Sequence, residues 1–332
     1  MPVAAAAPAP PRTLPPTPTV LRYTVKRLLA TIPVMGLVAL FVFSLLYISP
    51  GDPAAVIAGD IATEDDIARI RAKLGLDQPY LVRFGHWLLA LAQGDLGTSI
   101  FTNLPVSTLI AQRIEPTLAL TVCTLIVAVG LAVPLGVIAA ARAGGWIDRA
   151  VMAISVFGFS VPVFVIAYGL ILLFAIQLDW LPVQGYRSIS EGFGPFVSHM
   201  VLPSVALGLV YMALIARITR ATMLDVLAQD YVRTATAKGL APTQVLIGHA
   251  LKNAAVPIVT IIGIGIALLI GGVVVTETVF AIPGIGRLTV DAILRRDYPI
   301  IQGVTLLFSA VYVLVNLLVD LSYSLFDPRI RY

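Results

Sequence analysis

Asp230-Tyr231-Val232-Arg233-Thr234-Ala235-Thr236-Ala237-Lys238-Gly239-Leu240-Ala241-Pro242 is a polar island between two apolar stretches of membrane-crossing length. Glycine tolerates the left-handed position that follows a helix end, and proline suits a first helical turn. The island therefore predicts a short helix, a stop at Gly239 and a restart at Pro242. On a chain that is otherwise apolar, such an exposed helix-turn-helix reads as a docking element for another protein.

Outward from the island the chain is dominated by lipid-compatible residues. It is 58% hydrophobic and 12% charged, with a mean hydropathy of +0.95, whereas soluble domains carry roughly 25% charged residues. Six stretches lack Asp, Glu, Lys and Arg and exceed the roughly 20 residues a spanning helix needs: Leu28 to Gly51, Pro116 to Ala141, Ala150 to Leu178, Gly192 to Ala216, Asn253 to Thr276 and Tyr298 to Val319. They predict spans near 28–50, 117–141, 150–177, 201–221, 257–276 and 300–323. Continuous Leu/Ile/Val/Ala runs fit helices rather than the short alternating segments of a barrel. The fold class is all-α, a polytopic membrane protein with six transmembrane helices. The single cysteine, Cys123, lies inside the second apolar run and reads as a small core residue.

Basic residues orient the chain. With the N-terminus placed inside, thirteen of the 22 Lys and Arg fall on the inner side, and five of the rest share one long outer loop. Long loops count little in this rule, so both termini and the island are expected in the cytosol. Residues 1–20, rich in Pro and Ala, predict a disordered cytosolic tail. The loop 51–115 predicts a small helical extracytoplasmic cap. One helix should open at Thr63-Glu64-Asp65-Asp66 and stop at Gly75, and a second, Tyr80 to Leu91, carries Trp87, which suits a membrane interface. Phe280 to Arg287 combines turn residues with apolar ones, the character of a pore-flanking loop. Glycines and prolines recur inside the spans, as close helix packing and kinks require.

Catalytic chemistry is missing from the letters. No phosphate-cradling Gly-x-x-x-x-Gly-Lys-Ser/Thr run exists, and His86, His199 and His249 stand in separate segments without metal-ligand or triad spacing. No catalytic residue, metal site, cofactor or nucleic-acid partner is expected. Ion-coupled carriers need ionisable groups at membrane depth; the candidates Glu277 and Asp320 fall near the edges of their runs and are expected at the interface.

Taken together, the motifs resemble a known family. Arg233-Thr234-Ala235-Thr236-Ala237-Lys238-Gly239 is similar to the cytosolic "EAA" signature of ATP-binding-cassette importer permeases, with Arg233 where the general pattern has glutamate, as in the dipeptide/oligopeptide branch. In the same order along the chain stand Pro50-Gly51-Asp52-Pro53, Leu74-Gly75-Leu76-Asp77, Gly94-Asp95-Leu96-Gly97, His249-Ala250-Leu251-Lys252-Asn253, Glu277-Thr278-Val279-Phe280, Pro283-Gly284-Ile285-Gly286, Asp297-Tyr298-Pro299 and Asp327-Pro328-Arg329. The resemblance implies a type I importer transmembrane domain over residues 21–332 with a coupling loop at 223–253. It implies a second homologous permease, two ATP-binding subunits that hold the ATP, an extracytoplasmic solute-binding protein, and a surround of membrane lipids. It assigns ATPase contact to Asp230, Arg233, Ala237, Lys238, Gly239, Leu240 and Pro242. Outer gating or binding-protein docking falls to Phe280, Pro283, Gly284, Gly286 and Arg287. Short peptides are the expected cargo; nickel, glutathione and glycosides are served by similar permeases, and an ion-coupled carrier or channel is the rival class.

Overall fold

The computed structural model describes residues 20–48, 52–59, 62–73 and 75–326. Residues 1–19 of the expected disordered tail, the Asp327-Pro328-Arg329 motif, Pro50-Gly51 and Leu74 lie outside the described residues. The described chain is helical: α1 (Val20–Ile48), α2 (Pro53–Ala58), α3 (Glu64–Lys73), α4 (Tyr80–Ala92), α5 (Val106–Ala111), α6 (Ile114–Ala141), α7 (Trp146–Ser160), α8 (Val163–Gln177), α9 (Phe193–Leu227), α10 (Asp230–Ala237), α11 (Gln244–Val279), α12 (Ile285–Arg295) and α13 (Tyr298–Phe326).

Among the described residues, five helical segments are long and apolar enough to cross a membrane. The third expected span is a broken one: α7 and α8 meet at 104°. The break falls at Val161-Pro162, where proline removes a backbone donor and pushes the preceding residue out of helical conformation; Val161 is extended, at φ −92°, ψ 126°. The fourth helix is much longer than its charge-free run, since α9 continues through Arg217 and Arg220 to Leu227.

α9 is the axis of the bundle. Leu207, Met212, Ile215 and Ala216 bury on α6, α8 and α11 in one large apolar cluster. Small residues let the backbones approach. A Cβ on Gly136 of α6 would stand 2.6 Å from Thr219 Cβ and 2.8 Å from the Ala216 carbonyl oxygen, and one on Gly158 of α7 would stand 3.1 Å from the Leu209 oxygen. Without a hydrophobic drive between helices in lipid, this contact area and its dispersion energy hold the bundle.

The expected cap is present and built from local rules. Thr63 and Asp66 bond reciprocally at the start of α3: the Asp66 amide donates to Thr63 Oγ1 at 3.3 Å, and Asp66 Oδ2 accepts from Thr63 N at 3.2 Å and Oγ1 at 2.7 Å. Those donors hold the Asp66 carboxyl below its usual range. Gly75 takes φ +64° two residues beyond the helix. α4 lies on α1 through rings: Trp87 packs on Phe43 with centroids 5.3 Å apart, beside Tyr47, Tyr80 and Phe84. The Arg83 guanidinium stands over Phe43 at 5.2 Å and donates to Tyr47 Oη at 2.8 Å. Trp87 thus packs against the first span itself.

Candidate functional site

The polar island folds as its letters direct. α9 runs to Leu227, Gln229 is extended, and α10 begins at Asp230. α10 ends in a Schellman turn: the Gly239 amide donates to Thr236 O at 3.0 Å and the Leu240 amide to Ala235 O at 3.4 Å, with Gly239 at φ +82°. Pro242 then opens the helix that leads into α11, and Gln244 Oε1 accepts from the Ala241 amide at 3.3 Å.

α10 sits on its own chain through a small apolar seam. Val232 and Ala235 bury against Val245, with Leu240 packed beside them. The opposite side faces outward: Asp230, Arg233, Ala237, Lys238, Gly239 and Pro242 are exposed, while Leu240 turns partly inward. Asp230 and Arg233 are paired at only 3.7 Å across the open face, a contact worth little in water. A Cβ on Gly239 would meet nothing within 4 Å.

One layer deeper is an ion pair that sequence reasoning missed. The Arg220 guanidinium forks onto Asp148, with Nη2 to Oδ2 at 2.7 Å and Nε to Oδ1 shorter still, and the Gly144 amide donates to the same carboxylate at 2.9 Å. Asp148 is buried. The pair fixes the start of α7 and the turn before it to α9, about two helical turns before the end of α9 at Leu227. The available signal was Asp148 itself, an acid between Arg142 and Arg149 in an otherwise basic loop.

At the far end of α11 lies a second buried carboxylate. Glu277, expected at the interface, is fully buried. Thr117 Oγ1 donates to Oε1 at 2.6 Å, the Arg287 amide donates to Oε2 at 2.9 Å, and the Gly286 amide donates as well. Ile285 N donates in turn to Thr117 Oγ1 at 2.8 Å. The N-cap of α12 is Gly284, which has no side chain to cap the helix. Glu277 and Thr117 therefore satisfy its first amides, as a negative group at a helix N-terminus does. Gly284 and Gly286 leave the room: a Cβ would lie 2.0 Å from Glu277 Oε1 at the first and 2.7 Å from Val274 Cα at the second. Of the outer residues assigned by resemblance, Phe280, Gly284 and Gly286 are buried, Arg287 is half-buried and Pro283 is exposed. Asp320, the other candidate, is paired with Arg27 of α1 at 2.8 Å.

Comparisons with known proteins agree with this architecture. The family described as "Binding-protein-dependent transport system inner membrane component" matches residues 132–332, and its N-terminal companion matches residues 20–121. The chain is 58% identical over 310 residues to "Probable peptide ABC transporter permease protein y4tP" of Sinorhizobium fredii, covering 93% of this chain and 99% of the relative. It is 44% identical over 312 residues to "Glutathione transport system permease protein GsiC" of Escherichia coli K12, covering 94% and 99%. A chain of the MetNI methionine ABC transporter, solved in an inward-facing conformation, shares the fold at a TM-score of 0.56 and 18% identity, covering 67% of this chain and 97% of that one. With both parts of the family matched and two near-full-length relatives, the chain belongs to the binding-protein-dependent transport system inner membrane components, as a multi-pass permease subunit of a bacterial inner membrane.

Proposed function

We propose that this chain is one of two homologous permeases in an ATP-driven importer of short peptides, with α10 and the Gly239 turn seated on one of two ATP-binding subunits. The carrying observation is α10 itself: two buried residues anchor it, and six of the seven assigned contact residues face away from the chain. The peptide assignment draws on the 58% identical relative named as a peptide permease. Glutathione, in the name of the 44% identical relatives, is the second reading.

In this reading both termini and α10 are cytosolic. Closure of the ATPases displaces α10; α9 carries the movement upward, and the Asp148–Arg220 pair hands it to α7, whose break at Pro162 lets the third span swing. Pro283, Arg287 and the α3–α4 cap are the outer surfaces open to a solute-binding protein. The test is co-purification from membranes followed by uptake in proteoliposomes. The expected result is recovery of a second permease and an ATPase pair, with labelled dipeptide uptake that requires ATP and binding protein. Uptake by this chain alone, without ATP, contradicts it.

A further inference from the structure

Two stretches that stand out in the sequence, Gly94-Asp95-Leu96-Gly97 and Asp297-Tyr298-Pro299, meet in the fold. They meet beside α12, which follows α11, whereas α10 precedes it; the 36 residues of α11 lie between. Gly97 takes φ +86° and its carbonyl accepts from the Val106 amide at 3.0 Å, which closes residues 98–105 into a tight loop. Asp297, 2% exposed, fastens that loop: Ser99 Oγ donates to Oδ2 at 2.6 Å and the Ile100 amide to Oδ1 at 3.3 Å. The Asp297 amide also donates to Ala292 O at 2.8 Å and closes the end of α12. One buried carboxylate thus holds the loop beside α12 through charge-assisted bonds.

Between loop and helix lies a cavity of about 130 Å³. Its floor is apolar and buried, made by Leu109, Leu288, Ala292 and Ile300, and Phe101 stands exposed at its lip. Arg113, Asp291 and Arg295 form the rim. Among the described residues none of these three enters an ion pair, although Asp291 and Arg295 are one helical turn apart. Solute sites run to about 300–1,000 Å³, so this one has room for a single side chain. An apolar pocket that takes one anchor inside a polar rim is the anatomy of a protein–protein contact. Two arginines against one aspartate, with Arg296 exposed beside them, favour an acidic partner. Such charges guide a partner that arrives through water, whereas contacts between spans in lipid rest on small residues and dispersion. Phe280, Gly284 and Gly286, assigned to docking by resemblance, are buried and leave this cavity as the open feature on α12.

We propose that this cavity is the docking point of the solute-binding protein: one apolar side chain of that protein fills it, and a carboxylate next to that side chain meets Arg113 and Arg295. The proposal rests on the importer reading above for its partner, and on the cavity and its rim for the chemistry. The probe is the solute-binding protein that supports uptake in the assay above, added at rising concentration to proteoliposomes of the complete transporter while ATP hydrolysis is followed. R113Q/R295E should raise the half-maximal concentration at least tenfold at low ionic strength and by less at high ionic strength, with the second permease still co-purifying. D291N, which removes the one acid on the rim, should lower it. An unchanged concentration in R113Q/R295E overturns the docking point, as does a rise of the same size in D291N. So does loss of the second permease, which makes the cavity a subunit contact, or a shift that follows the phosphatidylglycerol content of the vesicles, which makes it a lipid contact.

The site is also tested without charge reversal. In a Cys123→Ser background, Thr102→Cys at the cavity should react with a membrane-impermeant maleimide, and saturating binding protein should slow that reaction at least tenfold. An undiminished rate overturns the docking point. Failure of the importer reading looks different: wild-type uptake and ATP hydrolysis that ignore every solute-binding protein refute that reading and remove the partner with it, whereas a wild type that responds, beside an equally responsive R113Q/R295E, refutes the docking point alone.

Discussion

Glu277 shows how a single side chain joins three helices. Its carboxylate accepts from α6 at Thr117 and from the first amides of α12, while its own backbone ends α11. Removing the oxygens strands donors in a buried place, at about 1–3 kcal/mol for each unsatisfied group. Glu277→Ala should therefore lower the thermal stability of the purified permease clearly more than Glu277→Gln, which keeps one acceptor. Gly284→Ala should act in the same direction, because its methyl would overlap the carboxylate. Equal melting temperatures for Ala, Gln and wild type would remove the clamp from the account. This residue was illegible in sequence for a physical reason. A carboxylate at the edge of an apolar run is ordinarily solvated at the interface, and what keeps Glu277 dry comes from a donor 160 residues away. Gly239 and Pro242 were legible because their effects are local to the backbone.

Among the elements, α9 and α7 carry the case for transmission. Arg220 and Asp148 bond in fork geometry with Asp148 buried, and truncating one partner leaves the other charge behind without its counter-ion. Arg220→Ala should lower the yield of folded permease sharply. Asp148→Asn with Arg220→Gln should recover much of the yield while peptide moved per ATP stays low, since the neutral pair packs but no longer locks α7 to α9. Full coupling in the folded double variant would show that the pair only stabilises. The helices themselves were readable from charge-free runs of about 20 residues, and the cap from Thr63 and Gly75. The break in the third span was not, because Pro162 sits within an unbroken apolar run and proline alone does not fix a bend angle. The full length of α9 was not readable either: the expected span 201–221 already ran past Arg217 and Arg220, but the helix extends from Phe193 to Leu227.

At the scale of the whole molecule, the proposed function makes this chain half of a path driven from outside it. Its central claim is that work enters through α10 and the Gly239 turn. Gly239 is suited to testing it because the chain leaves open space there, so a substitution acts through backbone strain or through whatever lies against the turn. Left-handed conformation costs an ordinary residue about 1–2 kcal/mol and asparagine less. Gly239→Asn should retain uptake within about threefold, and Gly239→Trp should keep the permease folded while peptide moved per ATP hydrolysed falls at least tenfold. The most direct measurement is that ratio, taken in the same proteoliposomes for wild type, G239N and G239W. Wild type and G239N close together, with G239W uncoupled, is the predicted result; a G239W transporter with the wild-type ratio would contradict the claim that α10 receives the drive.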